Sequence, residues 1–273
     1  MQATPRRKSD ELGDRLSLLH SAVSSGHVLN EIAWASIRNE LMKLYDLGFE
    51  RARTAVMLSA AHSYRCDIAE VERFTKIASR LVPATAHEYR ELISAAVRVG
   101  LFRLADEIDD LSKRQDIDVG TSYRVSMAVQ CGRLSNALAL SKARPHGLAP
   151  DEVSNVAELE MAVAYLMEEG VSDEEVSDRV KVAHACFVGE ARASVLNCVV
   201  ETTPVGLLFG FPFAGTLEEG ERIDVAMASA IIDQFEDTLG RHLSFITYPF
   251  GAVAPRLRPH AWEPDERDSL QLC

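Results

Sequence analysis

The chain has 273 residues, 47% hydrophobic and 26% charged, a balance that excludes a largely disordered chain and a collagen-like repeat. Its 29 basic and 41 acidic residues give a formal net charge of −12. That argues against nonspecific duplex nucleic-acid binding, which needs a basic footprint to displace counterions.

No stretch of 18 apolar residues exists, so no membrane-spanning helix is expected. Five cysteines (Cys66, Cys131, Cys186, Cys198 and Cys273) form no Cys-x-x-Cys pair, which fits reduced thiols in a cytoplasm better than a disulfide framework. Behind the basic run Arg6 to Lys8, the charges of Asp10, Glu11, Asp14 and Arg15 interrupt any apolar run, so no signal peptide is expected. Arginine outnumbers lysine 23 to 6, a bias that points to a G+C-rich and so bacterial genome. Charge is unevenly placed. Residues 1–115 carry 17 basic and 16 acidic side chains, whereas residues 151–237 carry 4 and 19.

Residues 1–9 read as a flexible terminus, and residues 10–188 as a helical region. Leu12, Leu16, Leu19 and Val23 share one face of a first helix. Ile32, Trp34, Ile37, Leu41, Leu44 and Leu47 mark a second, closed by Gly48. Ala52, Val56 and Ala60 mark a third. Val71, Phe74, Ile77, Ala78 and Leu81 mark a fourth, stopped by Pro83. Thr85 and Glu88 form a capping box that opens the fifth, and Gly100 closes it. Further helices run from about Phe102 to Lys113, on either side of Gly132, from Asp151 to Glu169, and from the cap at Ser172 to before Cys186.

Two of these hairpins repeat. Ser94, Ala96, Val97, Gly100 and Ala105 match Ser126, Ala128, Val129, Gly132 and Ala137 at an offset of 32. The glycine permits the tight turn, and the small alanine five residues later lets the second helix approach the first. Over residues 30–145 this arrangement resembles the tetratricopeptide-like and related α-solenoid families. The large early aromatic and the closing proline of those repeats are irregular here. The resemblance therefore implies stacked helical hairpins, without a particular ligand.

After Gly189 the period changes. Val195 to Glu201 reads as a strand and Thr202 to Pro204 as a turn. Leu207, Phe209, Phe211 and Phe213 alternate with smaller residues, the period-two mark of a second strand. Val225, Ala228, Ile231, Ile232, Phe235 and Leu239 form a helical stripe expected to cover that aromatic face, with Gly240 as its stop. Leu243 to Tyr248 reads as a third strand. The expected fold is α+β: a helical repeat-like body, then a small ββαβ unit over residues 189–250 packed on it, then an irregular Pro-rich tail over 251–273.

Chemistry-bearing patterns are sparse. The glycines 206, 210 and 215 lack the Lys-Ser/Thr of a P-loop and the GxGxxG of a dinucleotide site. His184, Cys186 and Cys198 have no recurrent zinc spacing and no fourth ligand, so no metal and no cofactor are expected. Cys198, His242 and Asp224 are a conceivable nucleophile, base and orienter, but no strand-to-helix elbow exposes the thiol. Acidic runs lack the Asp-Gly pattern of a calcium loop. The expectation is a non-enzymatic adaptor, chaperone or immunity-type binder of proteins, acting through its helical-repeat surface. An acidic patch including Glu168, Glu169, Glu174 and Glu175 would meet a partner's basic patch. The alternative is an enzyme or small-molecule sensor with a pocket near Cys198, Phe209, Phe211 and His242, between the Phe-rich strand and the helical body.

Overall fold

A computed structural model describes residues 7–144, 150–196, 198–203 and 206–250; the tail expected over 251–273 lies outside them. Ten helices come first: α1 (Lys8–Ser24), α2 (Glu31–Asp46), α3 (Arg51–Ser63), α4 (Ile68–Leu81), α5 (Ala86–Arg98), α6 (Phe102–Arg114), α7 (Thr121–Gln130), α8 (Leu134–Ala143), α9 (Pro150–Glu168) and α10 (Asp173–Ala191). They are followed by β1 (Val199–Thr203), β2 (Gly206–Phe213), α11 (Leu217–Gln234) and β3 (Leu243–Pro249). The architecture is α+β, a helical body with a small three-stranded sheet near the carboxyl end.

Local chemistry sets the helix ends. Thr85 and Glu88 cap α5 reciprocally, as do Ser172 and Glu175 on α10 and Thr216 and Glu219 on α11. The carboxyl ends of α1, α2, α3, α5, α6, α7 and α9 share one pattern. The residue just past each end is left-handed, and the next N–H reaches back to a carbonyl five residues earlier, as Leu101 does to Ala96 and Arg133 to Ala128. Glycine holds the left-handed position in five of these; Cys66 and Asp116 adopt it in the other two.

These turns stack the helices as hairpins. The helices α1, α3, α5 and α7 neighbour one another in turn, while α4 packs on α3 and neighbours α6. The most enclosed is α3, which touches α1, α2, α4 and α5 and buries every residue from Thr54 to Ser63. Several of its polar groups find partners within reach, whereas His62 Nε2 is buried without one among the described residues. Thr54 donates to the Phe49 carbonyl at 3.0 Å, and the Ser59 and Thr75 hydroxyls pair at 2.7 Å. Ser63 donates to the Ala60 carbonyl at 2.7 Å, and the Trp34 indole to that of Ala61 at 2.8 Å.

The sheet has the order β1-β2-β3. β1 and β2 are antiparallel, while β2 and β3 are parallel and joined through α11. Phe209 pairs with Phe245 in register, and their rings stack 5.5 Å apart. The aromatic face is covered by two helices rather than one: Phe187 of α10 stacks on Phe211 at 5.4 Å, and Gly220 of α11 lies against Thr247 and Phe213. One hydrophobic core runs from Leu12 through Phe187 to Leu243.

The structure corrects several details of the sequence reading. Ile32 and Leu47 are exposed rather than on the buried face of α2. β1 starts at Val199 rather than Val195 and includes Thr202 and Thr203. α11 begins and ends earlier than its apolar stripe implied, ending before Phe235 rather than at Gly240. It packs through Gly220, Ile223, Met227 and Ile231, leaving Val225 and Ile232 in solvent.

α10 crosses the turns of two hairpins. A Cβ on Gly132 (φ +72°) would stand 2.8 Å from Val180 Cγ2 and 3.1 Å from Val176 Cγ1. One on Gly100 (φ +80°) would stand 3.1 Å from His184 Nδ1. Both glycines thus answer two demands, the left-handed turn and the approach of α10.

Candidate functional site

Among the described residues, two cavities between the stacked helices stand out. The smaller, about 110 Å³, opens on the face made by α1, α3 and α5. Its floor is apolar (Leu16, Val56, Met57 and Ala60), and its walls carry His20, Arg53, Tyr64, His87 and Glu91. Tyr64 follows α3 directly, so the turn that ends that helix places its ring beside His20, 5.8 Å away between centroids. Arg98, in the last turn of α5, lies behind Tyr64. Its guanidinium sits 5.0 Å over the ring and donates to the Tyr64 hydroxyl at 3.3 Å and to Ser63 at 3.4 Å. Arg98 is only 7% exposed and forms no ion pair among the described residues. Burial lowers the His20 pKa, and the Arg98 charge lowers it further.

The larger cavity, about 390 Å³, opens between the α5–α6 and α7–α8 hairpins. Ile93, Val97, Met127, Ala128 and Leu140 contribute apolar wall, and the rim is ionic. Arg133 grips Asp106 with two hydrogen bonds of 2.5 and 2.7 Å, and Arg124 reaches Asp109 at 3.0 Å and Asp118 at 3.2 Å. Every cation on this rim has a carboxylate partner, Lys113 through Asp109 and Asp110 and Arg144 through Asp118.

The acidic residues singled out from sequence flank the α9–α10 turn, and all four are exposed. Their roles differ. Glu175 is committed to the α10 cap, whose N–H and hydroxyl bonds hold its carboxyl below the usual range. Glu169 lies 3.9 Å from His242 Nδ1. Neighbouring Asp173 caps another helix, accepting from the Ser135 and Asn136 N–H groups at the start of α8 at 2.9 and 3.0 Å.

Among the described residues, Cys198, Phe209, Phe211 and His242 of the alternative pocket line neither of the two cavities above. Phe209 and Phe211 are fully buried in packing, and Cys198 is buried beside them before β1. His242 stands elsewhere, its Nδ1 2.9 Å from the Tyr165 hydroxyl. Neither cavity above is lined by a residue of the sheet. Asp224 accepts the Thr247 N–H at 2.7 Å, and no hydrogen bond joins Cys198, His242 and Asp224 among the described residues. Burial pushes the thiols of Cys66, Cys131 and Cys198 up to about 12 and raises Cys186, so all four are protonated and weakly nucleophilic near neutral pH. No group of three or more potential metal ligands converges among the described residues.

Sequence reasoning missed Arg98 and the face it supports. Its neighbours Tyr64 and His20 come from other helices, so only a chain-wide packing model could have assembled them. Compared with protein-family models, with curated proteins and with solved structures, the chain matches none, so its functional reading rests on this geometry.

Proposed function

We propose that the protein is a non-enzymatic, cytoplasmic protein-binding module, an adaptor, chaperone or immunity-type binder. Its recognition face is the one built by α1, α3, α5 and α7. The observation that carries this reading is the groove over α1, α3 and α5. An apolar floor is ringed by the at least partly exposed His20, Arg53, His87 and Glu91, with the buried Tyr64 ring at its edge, a mixed composition suited to a recognition surface. Protonated thiols and the absence of a gathered nucleophile and base among the described residues weigh against covalent catalysis.

The test is affinity capture from the native host, comparing wild type with Glu91→Arg and His87→Glu in the groove. A second variant changes Glu168, Glu169 and Glu174 to Gln. A partner lost with the groove variant supports the reading. Loss of salt sensitivity with the second variant adds the acidic segment to the interface. A partner retained by both variants overturns the assignment of the face.

A second reading has its own support. The cavity of about 390 Å³ falls within the size range of small-molecule sites, which favours a sensor whose ligand sits between the α5–α6 and α7–α8 hairpins, away from the Phe-rich strand. Filling it with Ala128→Phe would abolish a ligand-dependent rise in melting temperature.

A further inference from the structure

The last helix among the described residues, α11, carries more apolar surface than its packing uses. α11 meets the sheet and α10 through Gly220, Ile223, Met227 and Ile231. Leu217, Val225 and Ile232 are 63%, 67% and 65% exposed. At about 100° per residue these three and exposed Ala228 fall within one quadrant of the helix, a stripe of about 22 Å from Leu217 to Ile232. Scattered exposed apolar residues need no explanation, but three large ones aligned on one face, beside a complete packing face, do.

The rim of the stripe says what can cover it. Glu221 and Glu218 are exposed on or beside this stripe, Asp233 is exposed farther round the helix, and Glu236 is exposed just past its end. The one exposed cation among them, Arg222, is engaged by Glu190 at 2.5 Å. A second copy of the chain would bring the same carboxylates against these, so self-association is opposed by like charge. A partner with the reverse pattern is favoured twice, by burial of apolar area and by charge complementarity.

We infer that the exposed face of α11 docks a basic amphipathic helix of a protein partner, about four turns long. Its leucine- or isoleucine-like side chains cover Leu217, Val225 and Ile232, and its lysines or arginines face Glu218 and Glu221. This deepens the protein-binding reading by naming a partner chemistry, and it uses a different surface from the groove on α1, α3 and α5. The two can therefore fail separately.

The test is fluorescence anisotropy on the full chain with three labelled probes of about 18 residues. The first is a helix with leucines on one face and lysines on the other, the second carries glutamates for the lysines, and the third keeps the lysines but replaces leucine by glutamine. Only the first is expected to bind, more weakly at about 500 mM than at about 50 mM salt. Ile232→Glu should weaken it about tenfold or more, and Glu221→Lys should weaken it and flatten the salt dependence. Leu18→Glu, at an equally exposed leucine of α1, should leave it unchanged.

The inference is overturned if Ile232→Glu binds like wild type or if the second probe binds as well as the first. It is also overturned if the third probe binds equally, which would mean charge alone. Two other occupants would appear in controls. A wild-type dimer dissociated by Ile232→Glu would assign the stripe to a second copy. Changes in the amide resonances of α11 on deleting residues 251–273 would assign it to the chain's own tail. Either result overturns docking of a partner helix. If the groove variants lose the native partner while these α11 tests fail, the protein-binding reading stands without this one.

Discussion

His184 gives the structure a pH dependence that can be worked out in advance. Its imidazole is 1% exposed, edge-on to Phe102 at 5.3 Å and to Phe211 at 6.2 Å, with Gly100 against it. Neither ring nitrogen makes a well-formed hydrogen bond among the described residues, and weak backbone interactions with His184 and Val97 offset only part of the burial. Burial therefore disfavours the charged form and lowers its pKa from 6.5 to about 3. A group lowered in the fold binds its proton in the unfolded chain first. Its contribution to stability is full above pH 6.5 and is lost progressively as pH falls towards about 3.

At pH 4.5 the unfolded chain gains about 2.7 kcal/mol from protonating this one side chain, two pH units at about 1.36 kcal/mol each. At pH 7 the gain is about 0.2 kcal/mol, leaving a difference of about 2.5 kcal/mol. The folded value hardly enters, because any pKa well below 4.5 gives the same figure. The assay is urea unfolding of wild type and His184→Leu at about pH 7, 5.5 and 4.5. His20 and His62 are also lowered by burial and steepen both curves, so the quantity of interest is the wild-type minus variant difference. Any packing change from the leucine is common to all three pH values and cancels. A change in that difference below about 0.5 kcal/mol between pH 7 and 4.5 would refute the buried, neutral state of His184.

Other consequences are as direct. Gly132→Ala should destabilise by about 2–4 kcal/mol in urea unfolding, because it adds a left-handed alanine to a Cβ pressed on Val180, whereas Asp116→Gly should stabilise by about 1 kcal/mol by relieving an exposed left-handed residue. Thr216→Ala should remove about 1 kcal/mol by breaking the α11 capping box, with the same assay reading it. Residues 190–273 expressed alone should show poor amide dispersion by NMR, since the fragment lacks Phe187 and His184, which cover Phe211. A cooperative, well-dispersed monomer would contradict that.

Period and punctuation made most elements legible from sequence. The capping residues Thr85 and Ser172 and the turn glycines 48, 100 and 132 are local signals, and each acts within one helical turn of its own position. What failed was phase wherever a helix carries apolar residues on more than one side. In α11, Ile231 and Ile232 are adjacent, so sequence alone could not say which faced the sheet, and Gly220, the closest contact, adds nothing to an apolar count. In α3 no face stood out, because small and hydroxylated residues are buried all round it. The groove was illegible for a different reason. His20, Tyr64, Glu91 and Arg98 belong to three helices and meet only once hairpins are stacked.

The 32-residue spacing acquires a second meaning from α10. Consecutive hairpins present Gly100 and Gly132 in left-handed turns, and α10 meets the first with His184 and the second with Val176 and Val180. Those three side chains lie four residues apart on α10, on one face of a helix whose rise between them is about 6 Å. A single helix thus ties the turns of α5–α6 and α7–α8 together at one end of the stack. At the end of α5, Val195 N–H donates to the Arg98 carbonyl at 3.1 Å, so the link to the sheet begins on the residue that backs the groove. Hairpin stacks flex by small rotations at each interface. A helix clamped across two turns removes that freedom between α5 and α7. The matched glycines therefore fix the spacing of the two hairpins that enclose the larger cavity, α5–α6 and α7–α8.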